Sequence, residues 1–259
     1  MPRFTTPFRT ALYQGPAGLA GLDGIAARAA SRGARLLVTP ELSLTGYALG
    51  ERVHELAEPA DGRCAEQVAD IAARHGLAIA YGFPERDGAR VFNSVQLTGP
   101  DGSRLATYRK THLYGGYETE HFAPGDELVV QAELDGVRVG LLICYDVEFP
   151  EAVRAHALAG TELLAVPTAL MRPYDFVPRS LVPARAWESG LFIAYANRTG
   201  PEGEFDFAGL SVLATPDGEE PARGGREEEL LVADADPEAL KRSREANPYL
   251  ADRRPELYV

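Results

Sequence analysis

The chain has 259 residues, a length that suits one or two domains. Lys+Arg 26 against Asp+Glu 38 gives a formal net charge of −12, which argues against a protein that grips nucleic acid or an anionic membrane through a basic surface. Hydrophobic residues at 45% and charged residues at 25% mark a folded chain, and two cysteines exclude a disulfide scaffold or a Cys-only zinc site.

In chain order, short apolar runs alternate with helical stretches. Phe8 to Tyr13 reads as a strand, and Ala-rich Leu19 to Arg32 as a helix stopped by Gly33. Arg35 to Val38 is a short strand ending at Pro40. Cys64 to His75 is helical and stops at Gly76; Leu77 to Tyr81 is a strand. Val91 to Leu97 and Arg104 to Tyr108 flank a Gly-Pro-Asp-Gly turn, and Leu128 to Leu134 and Val137 to Ile143 flank Asp135-Gly136, so two hairpins are expected. Glu151 to Ala159 and Arg179 to Ser189 read as helices, each closed by Gly. Leu163 to Val166 and Phe192 to Ala196 read as strands. Gly209 to Ala214 and Glu229 to Val232 flank a further turn, and the polar run Glu219 to Glu229 reads as a surface turn. Helix-connected strands mixed with hairpins predict an α/β fold of two mixed sheets packed face to face with helices outside.

The first 18 residues contain no apolar core of signal-peptide length, and no window approaches a membrane span, so a cytoplasmic protein is expected. That compartment keeps thiols reduced. The tail, residues 247–259, carries Tyr249, Leu250, Leu257 and Tyr258. It is expected to dock on a neighbouring subunit, with packing on the chain's own body as the alternative.

Of 26 basic residues only Lys110 and Lys241 are lysines. Arg cannot replace a compact, titratable amine. Lys110 ends an apolar strand directly after Arg109, so the two cations fall on opposite strand faces. Lys241 sits in a solvated Lys-Arg-Ser-Arg run.

Cys144 follows Val-Gly-Leu-Leu-Ile and precedes Tyr-Asp-Val-Glu-Phe-Pro. A strand-to-helix turn of this kind offers backbone N–H groups, which are expected to lower the thiol pKa and to hold an oxyanion. A buried structural cysteine is the commoner fate of a lone thiol. Cys64, in an amphipathic helix, takes that structural reading. Glu41 stands at the mouth of an apolar strand, where burial raises a carboxyl pKa toward that of a general base. None of the five histidines identifies a base from its local sequence, and His156 reads as a surface or interhelical residue.

With these residues in hand, three segments resemble the signatures of the nitrilase (carbon–nitrogen hydrolase) superfamily. They are Thr39-Pro40-Glu41-Leu42 with Leu44-Thr45-Gly46-Tyr47, Tyr108-Arg109-Lys110-Thr111-His112-Leu113, and the run Gly140 to Glu151 around Cys144. The resemblance covers nearly the whole chain. It implies a four-layer αββα sandwich, a single domain over residues 1–259, and a homodimer or higher homo-oligomer. It also implies Glu41 as base, Lys110 as electrostatic stabiliser and Cys144 as nucleophile. A further acid after the lysine is placed at Glu118, with Glu120 as the second choice.

Segments Ala11 to Gly15, Phe92 to Leu97, Pro173 to Phe176, Tyr195 to Asn197 and Asn247 to Leu250 resemble aliphatic amidases of the 5-aminopentanamidase and R-stereoselective amidase type. The implied reaction is hydrolysis of a small aliphatic carboxamide, amino-substituted ones included, through a cysteine thioester. The Tyr145 N–H joins Lys110 at the oxyanion, and no metal or organic cofactor is required. Tyr117, Met171, Tyr174, Phe176 and Trp187 are candidate pocket residues. Glu118, Glu120 and Asp146 are candidate pocket acids. A nitrilase proper, an N-carbamoyl amidohydrolase and a catalytically silent scaffold remain the alternatives.

Overall fold

The computed structural model describes residues 2–16 and 18–258; Val259, the last residue of the expected tail, lies outside the described residues. Strands β1 (Phe8–Gln14), β2 (Leu36–Val38), β3 (Ala78–Asp87), β4 (Arg90–Thr98) and β5 (Arg104–Arg109) come from the first half of the chain. The second half supplies β6 (Val130–Leu134), β7 (Val137–Leu141), β8 (Leu163–Thr168) and β9 (Phe192–Asn197). A hairpin of β10 (Thr199–Glu202) and β11 (Phe205–Ala208) follows. Then come β12 (Val212–Ala214), β13 (Ala222–Arg223) and β14 (Glu229–Ala235). Two six-stranded sheets result, ordered β14-β1-β2-β3-β4-β5 and β13-β12-β9-β8-β7-β6. Both are mixed. β1, β2 and β3 run parallel in one sheet, and β7, β8 and β9 in the other, with antiparallel strands on either side.

The period-2 pattern of the strands decides the layering. Leu12, Leu36, Val38, Ala78 and Ala80 share one apolar core with Val139, Leu141 and Leu163 of the other sheet. Their neighbours Ala11, Tyr13, Leu37, Ile79 and Tyr81 point the opposite way. There they meet Leu22, Ala26 and Ala29 of helix Leu19–Ser31 and Val68, Ile71 and Ala72 of helix Arg63–His75. Helices Pro150–Leu158 and Val182–Ser189 bury Val153, Ala157, Val182 and Ala186 against the second sheet. The order is therefore helix, sheet, sheet, helix.

Some elements differ from expectation. β3 continues past Tyr81 to Asp87 because β4 pairs with it along that whole length. The run Glu219 to Glu229 is more than a surface turn: Ala222 is buried, and β13 pairs with β12 there. Gln14 fixes the same run by donating to the carbonyls of Gly225 and Glu227. The helix ending at Ser189 begins with a wider turn over Val177–Leu181. Helices Gly115–His121 and Pro237–Ala246 and the β10–β11 hairpin were not expected. His156 is fully buried under its helix rather than at the surface, and its Nδ1 lies 3.1 Å from the Thr161 hydroxyl. Trp187 donates to the Tyr249 hydroxyl at 3.1 Å, so the tail starts on the chain's own body, while Leu257 and Tyr258 are exposed.

Candidate active site

The carboxyl ends of the parallel strands open on one side, the usual location of a site in α/β folds. Glu41 follows β2, Lys110 follows β5, Cys144 follows β7, and Ala169-Leu170 follows β8. Local sequence makes each placement possible. Gly82 on β3 passes so close beneath the Glu41-Leu42 backbone that a Cβ there would collide with the Leu42 nitrogen. The Glu41 N–H donates to Thr168 O of the other sheet at 3.3 Å. Its carbonyl accepts from buried Arg198 at 3.4 Å.

Lys110 is wholly buried, and its ammonium is held by two carboxylates. Nζ donates to Glu41 Oε1 at 2.8 Å and to Glu118 Oε1 at 2.6 Å. Glu118 is fixed in turn by Tyr47 Oη at 2.8 Å and by the Tyr114 N–H at 2.7 Å. Asn93 donates to Glu41 Oε1 at 2.6 Å. Oε2 of Glu41 is buried and has no hydrogen-bond partner. Arg109, on the other strand face, pairs with Glu85 and Asp87 outside the site.

Cys144 sits at φ 45°, a left-handed conformation that non-glycine residues seldom adopt. The residue tops a sharp turn, followed by a short helical turn over Cys144–Glu148 and the helix that starts at Pro150. The first N–H groups of such a turn have no partner within it, and the Tyr145 N–H is one of them. Asp146 stabilises the turn by accepting from the Ile143 N–H at 3.1 Å.

The electrostatics are those of a buried, compensated cluster. Burial pushes the Glu41 carboxyl up to about 7, with Lys110 opposing and Glu118 adding to the rise. Burial works against the Lys110 charge, yet Glu118 and Glu41 outweigh it and hold its pKa well above the ordinary value. The Cys144 thiol departs from expectation. Burial and then the Glu41 charge raise its pKa well above normal, against the pull of Lys110. The turn's N–H groups do not compensate for a dry site that already holds two carboxylates. Both effects favour the thiol over the thiolate, and the Ala169 N–H faces the sulfur.

A cavity of about 90 Å³ opens onto Cys144 and Glu118. Tyr145, Met171 and Tyr174 line it. Tyr117 does not; it stacks behind Tyr47 and donates to the Tyr47 carbonyl at 2.7 Å. Phe176 and Trp187 also lie outside the cavity wall and are exposed. Glu120 is exposed and makes no contact with Lys110, and Asp146 points away into the turn. Among the described residues no group of His, Cys, Asp or Glu is arranged to hold a metal ion, and no helix is long and apolar enough to cross a membrane.

A model of the carbon–nitrogen hydrolase family matches residues 12–245. The chain belongs to that family. It is thus a hydrolase of carbon–nitrogen bonds, and it keeps Glu41, Lys110 and Cys144 in the buried cluster described above. A Pseudomonas protegens protein described as a hydrolase in the pqqF 5′ region is 46% identical over 260 residues, covering 96% of this chain and 90% of that one. An (R)-stereoselective amidase of a Pseudomonas species is 40% identical over 220 residues, covering 85% of this chain and 79% of that one. Among solved structures, a cysteine-to-alanine variant of the Nesterenkonia sp. AN1 amidase in complex with butyramide superposes with a TM-score of 0.88. The two are 37% identical over 97% of this chain and 95% of that one.

Three residues of this carbon–nitrogen hydrolase site escape the sequence reading. Tyr47 lies within the first signature but carries no sign that its hydroxyl reaches Glu118. Asn197 was noted only as part of a resembling segment. Its side chain accepts from the Leu170 N–H at 2.8 Å and so sets the cavity wall. Glu148 lines the cavity, whereas its neighbour Asp146 does not.

Proposed function

We propose that the chain is an amidase that hydrolyses a small aliphatic carboxamide to the acid and ammonia through a thioester on Cys144. The observation that carries this reading is the divided role of the Glu41 carboxylate. Oε1 is committed to Lys110 and Asn93, while Oε2 is buried without a hydrogen-bond partner among the described residues, and the Glu41 charge acts on the Cys144 thiol, raising its pKa. A base with a pKa of about 7 suits removal of a proton from such a thiol.

Glu41 takes the thiol proton as sulfur bonds to the amide carbon. The carbonyl oxygen gains negative charge and is held by Lys110 Nζ and the Tyr145 N–H. The C–N bond breaks, and the nitrogen leaves as ammonia with the proton from Glu41. Water, giving a proton to Glu41, attacks the thioester. The C–S bond breaks, the acid departs, and the proton returns to sulfur. Glu118 holds Lys110 in place and takes no proton. The butyramide complex of the related Nesterenkonia amidase supports an aliphatic amide substrate.

The test is ammonia release over panels of amides, nitriles and N-carbamoyl compounds, with intact-mass spectrometry of the protein. Amide turnover with an acyl adduct on Cys144, absent in Cys144→Ala, is expected. Amide turnover retained in Cys144→Ala, or turnover of nitriles alone, overturns the proposal. We also read the exposed Trp187, Leu257 and Tyr258 as part of a contact with a second copy of this chain in a cytoplasmic homo-oligomer. A monomer in analytical ultracentrifugation would contradict it.

A further inference from the structure

Two acidic residues line the active-site cavity, Glu118 and Glu148, and their carboxylates differ in their commitments. Glu118 Oε1 accepts from Lys110 and Tyr47, and Oε2 accepts from the Tyr114 N–H. The Glu148 carboxylate has no hydrogen bond and no ion pair with any described residue. Two cations act on it from nearby, Lys110 and Arg185, and neither pairs with its carboxylate. The Arg185 guanidinium donates Nη1 to Glu188 at 3.0 Å and Nη2 to the backbone carbonyl of Glu148 at 2.9 Å, not to its carboxylate. Among the described residues no Lys, Arg or His lines the cavity, and Lys110 is shared between Glu41 and Glu118.

A half-buried carboxylate without a partner is costly unless a cation joins it. Burial already pushes the Glu148 carboxyl above its ordinary value, although Lys110 and Arg185 oppose the rise. The same cavity wall includes Tyr114, Tyr145 and Tyr174 and apolar Met171 and Val177. Tyrosine faces attract a cation and repel none of its methylenes. A carboxylate or phosphate on the substrate would meet Glu148 with like charge and no compensating base.

We propose that Glu148 is the specificity-determining residue of the cavity and binds an ammonium group on the acyl part of the substrate, so that the substrate class is amino-substituted carboxamides. This rests on the amidase reading and names the substrate of the same site. The ammonium would sit at the Glu148 end while the amide carbon lies at Cys144. Glu148 takes no part in bond making or breaking.

The experiment uses matched amides in which a terminal methyl is replaced by an ammonium, from butanamide with 3-aminopropanamide to hexanamide with 5-aminopentanamide. At one chain length at least, wild-type kcat/KM is expected to favour the ammonium member by about tenfold or more, as for a charge-assisted contact. Glu148→Gln is expected to erase about tenfold of that preference, mostly through KM. A second readout needs no variant: short alkylammonium ions should inhibit neutral-amide turnover competitively, and isosteric alcohols should not. Neutral amides hydrolysed with no ammonium preference at any length would overturn this inference and leave the amidase reading standing. An equal loss for both members of each pair in Glu148→Gln would also overturn it. No amide turnover and no acylation of Cys144 would overturn the amidase reading itself.

Discussion

The hydroxyl of Tyr108 donates to Asp146 at 2.9 Å, and so the strand that delivers Lys110 and the turn that delivers Cys144 share one buried carboxylate. The same carboxylate accepts from the Thr111 hydroxyl and the His112 N–H, both at 2.9 Å, and from the Ile143 N–H at 3.1 Å. Two segments more than 30 residues apart in sequence are thereby locked in register. Asp146→Asn turns one acceptor oxygen into a donor facing these N–H and O–H groups. We expect a loss of about 3 kcal/mol in urea unfolding, since a buried charge-assisted network is broken. A fall in kcat larger than the change in KM is also expected. Unchanged stability and kcat would show that the turn holds itself.

Lys110→Arg keeps the charge but not the shape. The ammonium touches Glu41 and Glu118 from a fully buried position, and a planar guanidinium needs more room and a different angle. In the proposed mechanism the oxyanion also loses a donor. We expect kcat/KM for a good amide to fall about a hundredfold or more, as for the loss of an oxyanion donor. Near-normal rates would mean that charge alone matters at this position.

The acid limb of activity follows from Glu41. In the proposed mechanism this carboxyl must be ionised to accept the thiol proton, and burial raises its pKa to about 7. Activity is therefore expected to rise with pH through about 7 and to be lost below it. Glu41→Gln should remove the activity. A kcat/KM profile flat from pH 5 to 8 would exclude Glu41 as the base.

Glu41, Lys110 and Cys144 are legible in the sequence because each lies at or just past the end of a strand-forming run and within a segment that resembles a family signature. Strand ends on one side of the two packed sheets bring such residues together wherever the intervening chain goes. Glu148 is not legible. Asp146 and Glu148 are both acids of one turn, and only the path of Cys144–Glu148 sends the first back to Ile143 and the second to the cavity. The β10–β11 hairpin hides for another reason. Gly200-Pro201-Glu202-Gly203-Glu204 lacks apolar alternation, and long-range contacts hold it instead. Phe205 and Phe207 meet the Tyr47 ring edge-on at 5.2 and 5.7 Å, and Glu202 accepts from the Tyr47 N–H at 2.6 Å. The raised thiol pKa of Cys144 likewise depends on burial and on carboxylates that lie far away in sequence.

His156 gives the last prediction, on stability rather than turnover. Gly140 on β7 leaves space for its ring; a Cβ there would collide with Nδ1. The ring is buried, and burial lowers its pKa from 6.5 to about 4. In the window between those values the unfolded chain binds a proton at this site and the folded chain does not. Unfolding is therefore favoured as pH falls from about 6.5 toward about 4, by up to about 3 kcal/mol at the lower end. Glu41 pulls the other way in part of this range. Its folded pKa is raised to about 7, so its contribution is present at low pH and lost as pH rises. Comparison with His156→Gln separates the two, because the variant keeps Glu41. Urea unfolding at pH 5 and at pH 7.5 should show a smaller acid-induced loss in His156→Gln than in the wild type. An equal loss in both would mean that the folded protein takes up the proton at His156 as readily as the unfolded chain.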